Sequence, residues 1–222
     1  MQDRHEIIKN IIKDNKLCTA HDLDHVLRVY NLCKRLAVHE AGVDMDILIP
    51  AALLHDIARV IEDEDKSGES DHAVLGAKMA SGILERLGYE EGAIERIKHC
   101  ILAHRFRSGH NPETIEAKIL FDADKLDVIG AIGIARSFMV AGQHGEKLFQ
   151  DIPIEEYIVE NVGENGRIKD NSKHGINLEF ELKLKKIPQR LYTKKGKEIA
   201  LRRISYMEEF FRILREEING EN

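Results

Sequence analysis

The chain has 222 residues, 43% hydrophobic and 32% charged, with a formal charge of −6; this is enough apolar material for a packed core and too much for a disordered chain. The mildly acidic total argues against bulk electrostatic binding to nucleic acid or to an anionic membrane surface. The longest apolar run, ILIPAALL at 47–54, falls far short of the ~18–20 residues that span a bilayer.

The N-terminal MQDRHEIIKN lacks the apolar centre of a signal peptide. Cys18, Cys33 and Cys100 form no C-x-x-C and read as reduced thiols, so a cytoplasmic location is expected. Absent tryptophan, 5% aromatics and four prolines suit helices better than a sheet sandwich. Hydrophobic spacing is helical almost throughout, which predicts an all-α fold. Val26, Val29, Tyr30, Cys33, Leu36 and Ala37 share one face of a helix from about 22 to 40. Asp44 or Asp46 caps the next helix, with Pro50 in its first turn, where a missing N–H costs least. That helix carries Ala51, Leu54, His55 and Ala58, then dissolves into EDEDKSGES. Ser70 or Asp71 caps a third, packed through Ala73, Gly76, Ala80, Ile83, Leu84 and Leu87 and ended by Gly88. Helices over 91–105, 113–139 and 152–162 follow, then a flexible loop or boundary, GENGRIKDNSKHG, at 163–175. LEFELKLKKIPQRL and KKGKEIALRRISYMEEFFRILREEI read as two more amphipathic helices.

Several histidines among the eleven are not placed like surface residues. His25 falls on the stripe with Val29, Leu32 and Leu36. His55 lies one turn after Ala51 and is followed directly by Asp56. His104 continues the stripe of Ile97 and Ile101, and Asp124 shares a face with Ala117, Leu120, Phe121 and Val128. Polar groups on apolar faces cost several kcal/mol each unless paired or ligated. A divalent cation satisfies several of them at once. Two histidines and two carboxylates form an N/O ligand set suited to Mn, Fe, Co, Ni, Zn or Mg, and unlike a thiolate cluster.

The order His25, His55-Asp56, Asp124 resembles the HD-domain superfamily of metal-dependent phosphohydrolases. The flanking blocks HDLDHVLRV (21–29), ALLHDIAR (52–59), DHAVLGA (71–77), ILAHRF (101–106) and DADKLDVIGAIGIAR (122–136) look like its YedJ/YpgQ-type branch. The tail from EFELKL onward is similar too, so the resemblance covers essentially the whole chain. It implies an HD-domain helical bundle with additional C-terminal helices: a core over 1–145 and an extension over 146–222 packed on it. It makes His25, His55, Asp56 and Asp124 the metal ligands, holding one divalent ion, manganese preferred, with a second left open. Asp122 and Asp127 flank Asp124; the family motif selects the middle aspartate, and the helical phase agrees, although Asp127 lies on roughly the same face. His72 and His104 fall where five-histidine members hold a second metal and where one-metal members touch substrate phosphate. With Asp56 they are the candidate catalytic residues.

Arg28, Arg59 and Lys125 sit one to four residues from a ligand. They are candidate substrate-binding cations, with charge compensation of Asp56 and Asp124 as the competing role. After His55-Asp56, where some HD nucleotide hydrolases place an acidic pair, stand Ile57, Ala58, Arg59 and Val60, and Glu62 reads as part of a solvated loop. His21 and Asp22 cap or orient the first ligand helix; Gly130 and Gly133 permit close helix packing. His5, His39, His99, His110, His144 and His174 have no motif context. The basic stretch Lys183, Lys185, Lys186, Arg190, Lys194, Lys195 and Lys197 reads as a solvated helix pair, with guidance of an anionic substrate as the alternative. The resemblance implies hydrolysis of (deoxy)nucleoside triphosphates to monophosphate and pyrophosphate by a metal-activated water. A cyclic- or dinucleotide phosphodiesterase, a di-iron oxygenase of the HD type and a non-catalytic metal-bound nucleotide sensor are the alternatives. The expected partner is a small-molecule nucleotide, with no nucleic acid and no membrane; a homodimer is left open.

Overall fold

Every regular element among the described residues is helical, and the extended pairings are two isolated bridges, Val162 with Ile168 and Lys147 with Gly175. The structure, a computed structural model, describes residues 3–14, 23–67, 69–105, 109–163 and 166–221. Cys18, His21, Asp22 and Phe106 lie outside them. Contacts divide the chain into two compact units, one of residues 1–127 with 191–196 and one of 128–190 with 197–222.

The first unit contains α1 (Arg4–Asp14), α2 (Leu23–Ala37), α3 (Met45–Leu54), α4 (Arg59–Glu64), α5 (His72–Arg86), α6 (Glu91–Ala103) and α7 (Ile115–Asp127). Its core is apolar stripes facing one another: α2 packs on α7 and α3, α5 on α6, and α3 also on α6 and α7. α1 sets buried Ile8 and Ile12 against this core and packs on α3. Asp44 is the cap of α3, its carboxylate accepting from the Asp46 backbone N at 3.0 Å. Pro50 falls in the second turn rather than the first, where it cannot donate to the Asp46 carbonyl.

The helix expected to run on through Ala58 stops at Leu54. Tight i→i+3 bonds, Ile57 N to Leu54 O and Arg59 N to Asp56 O, turn the chain over 55–58 before α4 restarts it. Asp71 caps α5, accepting from the backbone N of Ala73 and Val74, and Gly88 follows its end at φ +71°.

The second unit contains α8 (Gly130–His144), α9 (Ile154–Asn161), α10 (Ile176–Leu182), short 3-10 turns at 171–173 and 184–190, and most of α11 (Lys194–Asn219). The helix expected over 113–139 breaks at Val128–Ile129, and Gly130 adopts φ +79°, a left-handed conformation open to glycine. The helix expected from Leu178 to Leu191 is also divided. α10 ends at Leu182, and Pro188 belongs to the following 3-10 turn. Residues 166–175 are tied down at Asp170: Asn161 Nδ2 donates to the Asp170 carbonyl and Asp170 N to Asn161 Oδ1, both at 2.9 Å. His174 is buried, accepting from the Tyr157 hydroxyl at 2.6 Å. Of the basic stretch, Lys183 pairs with Glu179 and Lys185 with Glu181 and Glu208. Among the described residues no single helix is long and apolar enough to cross a membrane. Cys33 and Cys100 are free, buried thiols; burial pushes Cys100 up to about 12 and Cys33 well above its usual value.

Candidate metal centre

Five elements of the first unit converge on one buried cluster. α2 contributes His25; the turn after α3 contributes His55 and Asp56. His72 opens α5, His104 follows the last residue of α6, and Asp124 lies on α7. The stripes anticipated for His25 and His104 are real: both side chains are buried with Val29, Leu36, Ile97 and Ile101. The turn over 55–58 matters here. Successive residues of an unbroken helix point about 100° apart, whereas the turn buries both His55 and Asp56.

Each imidazole is held from behind through Nδ1. His25 Nδ1 donates to Asp127 Oδ2 at 2.7 Å, His55 Nδ1 to the Ala52 carbonyl at 2.9 Å and His104 Nδ1 to the Ile101 carbonyl at 2.5 Å. His72 Nδ1 contacts Glu62 Oε2. The four Nε2 atoms therefore face inward. Those of His25 and His55 are 3.4 Å apart, and those of His72 and His104 are 3.2 Å apart. Asp56 divides its two oxygens between these pairs. Oδ2 lies 3.5 and 3.6 Å from Nε2 of His25 and His55, while Oδ1 lies 3.3 and 3.6 Å from Nε2 of His72 and His104. Asp124 joins the first pair, with Oδ1 at 3.4 Å from His25 Nε2. Two three-residue groups result, His25–His55–Asp56 and Asp56–His72–His104, each with ligand atoms within 4.8 Å of one another.

The donor set fits divalent cations. With Nδ1 committed as donor on His55 and His104, their Nε2 atoms are lone-pair acceptors, and they face further acceptors across 3–4 Å gaps. A cation is what such a concentration of lone pairs accommodates. The histidines differ in their electrostatics. Burial opposes charge on His25, yet its contacts with Asp124, Asp127 and Asp56 outweigh burial and hold it well above the usual histidine range. Burial lowers His55 to about 4 and also lowers His72, keeping their lone pairs available near neutrality. Asp124 is held well below the ordinary carboxylate range: burial works against this, and Lys125 and His25 overcome it.

The three candidate substrate cations all face carboxylates. Arg28 Nε and Nη2 donate to Asp127 at 2.8 and 3.1 Å. Lys125 Nζ donates to Asp124 Oδ2 at 2.6 Å and lies over the Phe121 ring. Arg59 Nη1 donates to Glu62 Oε2 at 3.1 Å and Nη2 pairs with Asp63, while its buried Nε has no hydrogen-bond partner among the described residues. Glu62 is the residue whose position departs furthest from its reading. It is not loose in a solvated loop but lies against His72, between Arg59 and Arg105. Its spacing of three from Arg59 on a helix was the available signal. Asp122, by contrast, turns away from the cluster to the backbone of Tyr192 and Thr193.

Residues 22–129 match the HD domain family. The chain is 29% identical over 217 residues to YpgQ of Bacillus subtilis, spanning 96% of this chain and 91% of that one. An HD-superfamily hydrolase from Bacillus thuringiensis aligns at 30% identity with a TM-score of 0.69, over 97% of this chain and 95% of that one. The crystal structure of Bacillus subtilis YpgQ in complex with ADP aligns at 26% identity with a TM-score of 0.71, over 98% and 100%. The chain belongs to the HD superfamily, as a hydrolase of its YpgQ-like branch.

Proposed function

We propose that this protein is a metal-dependent phosphohydrolase that cleaves nucleoside triphosphates, deoxynucleotides foremost, to monophosphate and pyrophosphate. The observation that supports it furthest is Asp56, whose two carboxylate oxygens face separate histidine pairs. His25, His55, Asp56 and Asp124 hold one divalent cation, manganese in the first instance, and Asp56, His72 and His104 hold a second. Such cations, when bound, act as Lewis acids toward a phosphoryl group and lower the pKa of water. The protein's own part is positioning and charge. Asp127 and the Ala52 carbonyl fix the His25 and His55 rings, so the cluster needs little rearrangement as a substrate arrives. Arg28, Arg59 and Lys125 exchange a carboxylate partner for non-bridging phosphate oxygens, to which guanidinium and ammonium groups bind strongly. The ADP bound to YpgQ supports a nucleotide in this role.

Product analysis with Mn²⁺ and a panel of nucleoside and deoxynucleoside triphosphates tests the reading. Monophosphate and pyrophosphate are expected from the native protein, with turnover abolished in Asp124→Ala and His55→Ala although both retain helical circular dichroism. Unchanged turnover in the two variants would remove the site. Cleavage confined to cyclic or dinucleotides would make it a phosphodiesterase. Bound iron with oxygen consumption would make it an oxygenase, and tight retention of intact nucleotide a sensor.

A further inference from the structure

His72, like His25 with Asp127, has a carboxylate behind it, unlike His55 and His104. His55 and His104 lean on carbonyls of their own helices, three residues earlier, and so are oriented by local geometry. His72 opens α5 and has no earlier turn of its own helix to lean on; Glu62, ten residues upstream on α4, contacts its Nδ1 instead. Glu62 is itself held on both oxygens. Arg59 Nη1 donates to Oε2 at 3.1 Å and Arg105 Nη2 to Oε1 at 2.8 Å. Arg105 also pairs through Nη1 with Asp71 at 3.1 Å, and Asp71 is the residue that caps the helix His72 begins. An ionised carboxylate only accepts, so its contact fixes the His72 proton on Nδ1 and leaves the Nε2 lone pair 3.3 Å from Asp56 Oδ1. Arg59 Nη1 comes within 3.3 Å of His72 Nδ1, donor beside donor, because Glu62 Oε2 serves both.

We propose that Glu62 is the positioning residue of the second cation group. It orients His72 and, clamped by Arg59 and Arg105, makes occupancy of the Asp56–His72–His104 group depend on α4. The first group has its own supports in Asp127 and the Ala52 carbonyl and is independent of Glu62. This rests on the reading that the second group takes a cation, and the test separates the two.

Mn²⁺ alone is titrated into the metal-free full-length protein, and bound metal per chain is counted for the native chain, Glu62→Ala, Glu62→Gln and His25→Ala. The native protein is expected to take two. Glu62→Ala is expected to keep one site unchanged and to lose about 10–100-fold in affinity at the other, the usual effect of removing a carboxylate behind a ligating histidine. Glu62→Gln, whose amide oxygen still accepts from Nδ1, should lose less, and His25→Ala should weaken the opposite site. Two sites of native affinity in Glu62→Ala would overturn the role of Glu62 while leaving the two-cation reading intact. A native protein binding one ion or none would overturn that reading and the role with it. Should Glu62→Ala fold poorly, nitrogen NMR of the native imidazoles decides: His72 is expected to carry its proton on Nδ1, and an unprotonated Nδ1 would overturn the proposal.

Discussion

Asp122 accepts hydrogen bonds from the backbone nitrogens of Tyr192 and Thr193 at 2.9 and 2.7 Å and from the Thr193 hydroxyl at 2.6 Å, although it stands two residues from Asp124. Asp127, one turn beyond, accepts from His25 and from Arg28. Three aspartates of one helix thus clasp a distant segment, face the cluster and orient a ligand. Each role has its own signature. Asp122→Ala strands buried donors at about 1–3 kcal/mol each, so a markedly lower melting temperature is expected with the Mn²⁺ count unchanged. Asp127→Asn keeps the shape and removes the charge; a Mn²⁺ titration should find the His25-side affinity reduced about 10–100-fold. Asp124 as the candidate ligand among the three was readable from the motif and the helical phase. The other two roles were not, because their partners are 71 and 102 residues away in sequence.

The helix of α3 reads on through Ala58, and α7 reads on into α8, because the apolar spacing carries on across each break. Helical periodicity records which face is buried, and a single turn that keeps burying its residues leaves no gap in that record. Gly130 is the local mark of the second break. Its φ of +79° costs an L-residue about 1–2 kcal/mol, and a Cβ there would meet the Arg203 side chain at 2.9 Å. Gly130→Ala is therefore expected to lower the denaturant midpoint by an amount corresponding to at least about 1 kcal/mol without changing the slope. A midpoint equal to the native one would mean that the break does not need glycine. The first break has no glycine or proline to announce it, yet it brings His55 and Asp56 inward together and sets Glu62 behind His72.

For the whole molecule, the cluster links cation binding to stability, since a ligand bound by the folded chain and not the unfolded one stabilises by mass action. Mn²⁺ at a hundredfold excess over its dissociation constant should add about 2.7 kcal/mol per site, seen as a higher melting temperature that a chelator reverses. His25→Ala should lose about half of that gain, the share of its own site, and a melting temperature indifferent to Mn²⁺ and chelator would argue against the centre as a cation site. The amino-acid sequence by itself determined the all-helical class, most helix positions and the candidate ligand residues, because periodicity and short motifs are local and survive in one dimension. Only the tertiary structure decided that Asp56 divides the cluster in two, that Asp127 and Glu62 stand behind His25 and His72, and that Asp122 belongs elsewhere. Those facts are distances under 4 Å between side chains that are, in most cases, far apart along the chain, and no spacing rule encodes them.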